Sequence, residues 1–323
     1  MNDVHAGDRA LKPVLNAIAA AYAAMTKRTQ ERLKAFLTPH MDALQPVQIE
    51  HKAAYHRRLR LAFTGAKWAS VRALIAADCL SVYEAMTNRV NDALKQAFTD
   101  GLNETAYLLS LTGADAWPIT EAIVATLAAT GVVNFAKQKI KKDAAIHYNE
   151  QRVQSAISGA IARNVKVDGM AKDVAKHFSN ARRNEAIAQA RSAIYGASDY
   201  GSYMAGMEAE KAGAAIEKTW LAIIDMHVRP SHSHLHMTTI PLNEVFRGYH
   251  GTLKYPHDPN ADPRERLRCR CRMVVHLAGH APNARRRSLL PTETYAYRRW
   301  RDAQIRKAGG EMELAKLHKQ NMR

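Results

Sequence analysis

Five prolines, at positions 230, 241, 256, 259 and 263, fall within the stretch from Lys218 to Leu277. Proline lacks an amide hydrogen and its ring clashes with the preceding helical turn, so no long helix can run through this stretch. It opens KTWLAII, whose alternation suits a strand, and passes through FRGYHGTLKYP, which reads as a strand or hairpin with glycine turns. It closes RCRCRMVVH, which reads as a closing strand. Side chains alternate faces along a strand, so Cys269, Cys271 and Met273 share one face and Arg268, Arg270 and Arg272 the other. Thiols are expected inward and guanidinium groups outward.

The rest of the chain is spaced for helices. Val14, Ile18, Tyr22, Met25 and Leu33 recur at three- or four-residue steps or their multiples, predicting a helix over 11–37. Further helices are expected over 47–63 and 68–98, the latter with a stripe of Val71, Leu74, Ile75, Cys79, Val82 and Met86. Asp100–Gly101 reads as a stop, followed by a short helix to Leu111 and a turn-rich connector over 113–118. One or two helices follow to residue 163, carrying the basic run KQKIKK (137–142). A boundary at NVKVDG (164–169) precedes a compact helix over 170–180. A long helix over 181–213 then follows, whose Ala186, Ala190, Ala193 and Ala197 make a small-residue face. The fold class expected is mainly α: an elongated helical region, then a small α+β domain, then a basic tail.

A net charge of +17 and a pI near 9.9 favour a polyanionic partner, either nucleic acid or an acidic protein surface. Part of the surplus lies in the tail, where eleven Lys/Arg face four Asp/Glu from Arg285 onward. Arg285, Arg286, Arg287, Arg298, Arg299 and Arg301 are the candidate DNA contacts. The tail's YAYRRWRDAQIRK mixes aromatics with bases, as phosphate contact and stacking require. A solvated amphipathic helix explains the same pattern. Three cysteines cannot form a disulfide framework, and the close pair is strained as a bridge, so a reducing compartment is expected. The N-terminus lacks the apolar core of a signal peptide, and the most apolar stretch, 123–133, is about half a bilayer span. A soluble protein, cytoplasmic at synthesis and without membrane contact, is expected.

Two chemical readings compete for the proline-rich stretch. Thiolate and imidazole are the preferred ligands of zinc, and a closed structural site needs four. Cys269 and Cys271 supply two, with His232, His236 or His257 to complete the set around Zn2+. C-x-C is a rarer zinc knuckle than C-x2-C, and a reduced thiol pair packed in the core with histidine partners remains open. Alternatively, Asp225, His232 and Cys269 supply an orienting group, a base and a nucleophile. Nothing in the spacing selects that arrangement, and Asp225 and Arg229, four apart, equally suit a pair that fixes the loop. No HExxH, phosphate loop or serine elbow is present. An enzyme is therefore not expected.

The order of residues is more specific than their chemistry. Trp220, Asp225, Arg229, His232, Leu235 and His236 are spaced W-x4-D-x3-R-x2-H-x2-L-H. Phe246, the YPHDP run Tyr255–Pro259 and the Cys269-Arg270-Cys271 triplet follow. With the preceding helix EAIAQARSAIYGASDYGSYMAG, this resembles the phage Mu F-like head morphogenesis family over residues 160–277. Three positions depart from the family pattern. Met237 stands where the family tends to have glycine, Arg268 where asparagine commonly precedes the CRC, and Ser192-Ala193 where Thr-Glu is usual.

The resemblance implies a minor capsid protein of a tailed bacteriophage, present in the virion head and, during assembly, in the host cytoplasm. Its implied partners are the portal protein, capsid and scaffold proteins, and packaged double-stranded DNA. With the match confined to the central part, the expected division is a helical region at 1–160 that carries no family match, a Mu F-like domain at 161–277 (helices 165–213, β-containing segment 218–277) and a basic tail at 278–323. Trp220, Asp225, Arg229, His232, Phe246, Pro256, Asp258, Cys269 and Cys271 are its motif residues. Two alternatives stay open: an enzyme or toxin-like domain using the Asp225/Arg229/His232/Cys269/Cys271 cluster, and a free-standing nucleic-acid-binding protein.

Overall fold

The computed structural model describes residues 6–42, 65–133, 167–280, 292 and 294–322. The expected helix over 47–63, the KQKIKK run and Arg285–Arg287 lie outside these. The chain is about 66% helical, with one small strand-containing region, so the mainly α expectation holds.

The helices are α1 (Asp8–Asp42), α2 (Ala66–Leu111), α3 (Glu121–Ala129) and α4 (Val167–Lys211), with α7 (Tyr295–Lys307) and α8 (Glu311–Asn321) at the C-terminal end. Between α4 and α7 come β1 (Ile216–Leu221), the short helix α5 (Pro230–Leu235), β2 (Thr239–Pro241), β3 (Phe246–Gly248), β4 (Gly251–Leu253), the single turn α6 (Pro263–Arg266) and β5 (Arg272–Leu277). Two compact units form, each from separate stretches of chain: 15–88 with 139–187, and 1–14 with 89–138 and 188–323.

The first unit is a helical packing of α1 against α2. Ile18, Tyr22, Met25 and Leu33 are all buried, as their spacing predicts, and Phe36 meets Trp68 with ring centroids 5.4 Å apart. On α2, Trp68, Ile75, Val82 and Met86 are buried, but Leu74 is exposed. The buried face repeats at seven-residue steps from Trp68, which leaves position 74 on the outer edge. Arg32 and Arg28 of α1 both reach Asp78 of α2, and Cys79 packs its sulfur 3.5 Å from that of Met25.

The second unit holds the strands. α2 does not stop at Asp100–Gly101 but runs through to Leu111. Glycine serves helix approach here: a Cβ on Gly101 would stand 2.0 Å from the Ser198 carbonyl oxygen of α4, and one on Gly201 would stand 2.2 Å from that of Phe98. Ser202 Oγ completes the crossing by donating to the Gly101 carbonyl at 3.1 Å. α4 is likewise one helix rather than two.

The expected strands are present. β1 is the centre of an antiparallel sheet of order β2-β1-β5, with Trp220 opposite Met273 and Thr219 opposite Val274. β3 and β4 form the glycine-turn hairpin, with Phe246 opposite Leu253. β5 begins only at Arg272, so the CRC triplet precedes the ladder. Burial still alternates as predicted: Cys269, Cys271 and Met273 are buried, and Arg270 and Arg272 point outward and are half-buried. One continuous core joins Phe98 and Leu102 of α2, Met204 and Ala205 of α4, Trp220, Phe246, both cysteines and Leu314 of α8.

The tail is two helices. Tyr297 and Trp300 of α7 pack on Tyr107 of α2, with centroids 5.6 and 5.3 Å away. Those two rings fill the core edge instead of standing free to stack on bases. Among the described residues no helix is long and apolar enough to cross a membrane.

Candidate functional site

Proline at the first turn of α5 and the short run to Leu235 place His232 inward, 2% exposed, beneath β1. The extended CRC stretch brings both sulfurs to it. Nδ1 of His232 lies 3.4 Å from Cys269 Sγ and 3.4 Å from Cys271 Sγ. The Cys271 amide donates to Cys269 Sγ at 3.3 Å. The three ligand atoms lie within 4.8 Å of one another, and both thiols are free. Burial pushes the Cys269 thiol up, and its hydrogen bond with Cys271 adds to this.

The other face of the His232 ring is held by a residue the sequence reading did not single out. Glu265, wholly buried on α6, takes Nε2 of His232 at 3.0 Å, Ser231 Oγ at 2.9 Å and the His250 amide at 2.9 Å. Burial pushes this carboxyl up, but the His250 amide, the Ser231 hydroxyl and His232 outweigh it and hold the carboxyl below its usual range. Gly248 makes room for it, since a Cβ there would stand 2.8 Å from the carboxylate. The available signal was chemical: an inward imidazole needs a carboxylate or carbonyl on its far nitrogen.

The other predicted ligands go elsewhere. His236 Nδ1 accepts from the Ala222 amide at 3.1 Å, and His234 is exposed. His257 sits between Asp199 of α4, 3.2 Å from Nδ1, and the Cys269 carbonyl, 2.9 Å from Nε2. His236 and His257 are thus outside the His232/Cys269/Cys271 group.

Asp225 does not pair with Arg229, four residues on. It takes a two-pronged bond from Arg270, at 2.6 and 2.7 Å, and Arg270 with the His227 amide holds its carboxyl down to about 2. Arg229 instead donates to the backbone carbonyls of Glu265 and Leu267. Asp225 therefore does not orient His232, and the Asp225–His232–Cys269 arrangement does not form.

The remaining motif residues also bind one another. Trp220 is fully buried, edge-on to His232 at 5.3 Å and to Phe246 at 5.1 Å. Asp258 accepts the Lys254 and Asn260 amides at 3.1 and 2.9 Å, closing the PHDP turn, and Pro256 is buried beside it. Gly196 of α4 lets that turn approach, with His257 3.1 Å from where a Cβ would be. Lys218, fully buried on β1, donates to the carbonyls of Glu244 and Lys254 at 2.6 and 2.8 Å, between the rings of Tyr203 and Phe246. Burial, helped by Lys254, lowers its pKa to about 8.

Of the candidate DNA contacts that can be placed, Arg298 and Arg299 are exposed on α7, with Arg299 over the Tyr295 ring. Arg301 is half-buried and bonds Asp302 at 3.0 Å.

Motif residues that lie far apart in sequence are thus brought together in one packed region around the β1 sheet. Residues 151–274 match the family described as Phage Mu protein F like protein, the family that the ordered motif resembles. No curated protein and no solved structure matches the chain.

Proposed function

We propose that this protein is a minor head protein of a tailed bacteriophage, acting in head morphogenesis at the portal vertex as a structural component rather than an enzyme. The observation that carries the reading is the agreement between the family match and the use of the motif. Asp225, Arg229 and Asp258 direct their side-chain hydrogen bonds to residues inside the module, and Trp220 and Phe246 pack their rings there. A catalytic constellation would instead aim such groups at a space for substrate. Virion location and contact with portal, capsid and scaffold proteins follow from the family's role.

The basic C-terminal region supports a second contact, with packaged double-stranded DNA. Arg298 and Arg299 are exposed on one end of α7, on a chain whose net charge is +17. Contact through phosphates alone gives binding that is sequence-independent and steeply salt-sensitive.

Co-expression with the portal and major capsid proteins of the same phage, followed by gradient sedimentation, tests the main reading. The protein is expected in the procapsid fraction, in fewer copies than the major capsid protein, and to be lost when portal is omitted. Sedimentation as a free chain in the presence of complete procapsids would overturn it.

A further inference from the structure

We infer that His232 Nδ1, Cys269 Sγ and Cys271 Sγ bind one zinc ion, with Glu265 as the positioning residue on the far nitrogen of the histidine. This goes beyond the head-protein reading and does not depend on it. Zinc bound to sulfur at about 2.3 Å and to nitrogen at about 2.0–2.1 Å in a tetrahedron sets neighbouring ligand atoms about 3.6 Å apart. Both sulfurs stand 3.4 Å from Nδ1. The ligands are already arranged as two edges of that tetrahedron.

Hydrogen bonding alone satisfies the cluster only weakly. Glu265 receives the proton on Nε2, which leaves a single lone pair on Nδ1. Two thiols face that one lone pair, so only one can donate to it. The other has only its neighbour's sulfur, a weak acceptor, to donate to, in a closed apolar core lined by Trp220 and Phe246. Replacing both thiol protons with one divalent cation satisfies all three groups, and the Cys271 amide then stabilises the Cys269 thiolate. The buried carboxylate behind the imidazole is the arrangement that fixes the tautomer and raises the basicity of a metal-bound histidine. Two thiolates and an imidazole select zinc over magnesium or calcium, which take oxygen ligands. Binding releases the two thiol protons to solvent, and no redox partner is needed.

Among the described residues the set is three ligands, not four. His236 and His257 are bonded to Ala222 and to Asp199 and the Cys269 carbonyl, so neither completes it. The fourth position belongs to water or to a group outside these three.

The test is metal content of the full chain, purified reduced and without a metal-binding tag, together with cobalt titration of the chelated protein. About one zinc per chain is expected, with a thiolate-to-cobalt charge-transfer absorption on titration. Cys269→Ser and Cys271→Ser should each weaken that absorption, whereas His236→Ala should leave metal stoichiometry unchanged. Glu265→Gln should keep the ion but lower affinity about 10–100-fold in chelator competition. Wild-type protein that takes up neither zinc nor cobalt under reducing conditions overturns the site, whatever the variants do. So does zinc retained undiminished by a folded Cys269→Ser/Cys271→Ser protein.

Discussion

Gly101 of α2 and Ser198 of α4 meet backbone to backbone, with 2.0 Å between the place of a Cβ on Gly101 and the Ser198 carbonyl oxygen. In an exposed helix, Gly→Ala gains about 1 kcal/mol through helix propensity. Here the sign reverses, because the obstacle is main chain and cannot rotate away. Gly101→Ala is expected to destabilise the protein by about 3 kcal/mol, the upper part of the usual overpacking range. Urea denaturation measures it, and a stabilised variant would show that the helices do not approach this closely.

Met237 and Arg268 carry positive φ, 64° and 57°. These are two of the positions where the chain departs from the phage Mu F-like pattern, which tends to have glycine at the first and asparagine at the second. Left-handed backbone costs an ordinary L-residue about 1–2 kcal/mol, and glycine and asparagine tolerate it best. The departures are therefore residues held in a conformation the motif requires. Met237→Gly and Arg268→Asn are each expected to stabilise by about 0.5–1 kcal/mol, read as a raised denaturation midpoint. Arg268 keeps its amide bond to Ser192 Oγ, 3.0 Å, in either case. The third departure, serine where threonine is usual, preserves the hydroxyl that accepts it.

Local pattern made the architecture legible. Five prolines excluded a long helix, alternation turned the thiols inward, and glycines marked the β3–β4 hairpin. Pattern failed where partners are distant. Glu265 reaches His232 across 33 residues, and Arg270 reaches Asp225 across 45, past the nearer Arg229. Asp100–Gly101 looked like a helix stop because a local rule weighs glycine as a breaker. Only the neighbouring helix reveals it as a point of close approach. Of the candidate metal ligands, the three that converge were in the sequence reading. The two that do not, His236 and His257, had no local feature to set them apart.

In the sequence pattern Lys218 marks only the opening of a strand, yet it is the cation that ties two loops to the sheet. Its ammonium serves the Glu244 and Lys254 carbonyls, and no other described side chain is shown bonding to either. Lys218→Met keeps the stem between Tyr203 and Phe246 but leaves both acceptors without a donor. A loss of about 1–3 kcal/mol is expected, together with faster amide exchange at residues 244–254. Unchanged exchange there would show that the ammonium does not hold the loops.

His318 of α8 has an acceptor on each ring nitrogen: Glu208 Oε1 at 2.6 Å from Nδ1 and the Pro118 carbonyl at 2.9 Å from Nε2. Both bonds form only when both nitrogens carry protons. Burial pushes the imidazole towards the neutral form, but Glu208 and the Pro118 carbonyl outweigh it and raise its pKa. The folded protein therefore holds this proton at pH values where the unfolded chain, with an ordinary histidine pKa of about 6.5, has released it. The stabilisation is complete below about pH 6.5 and is lost as pH rises through the folded value. Urea unfolding from pH 6 upward should show stability falling. Glu208→Gln, which keeps a side-chain oxygen but removes the charge, should shift that fall to lower pH. An identical pH profile in wild type and Glu208→Gln would mean that the Glu208 charge does not set the protonation of His318.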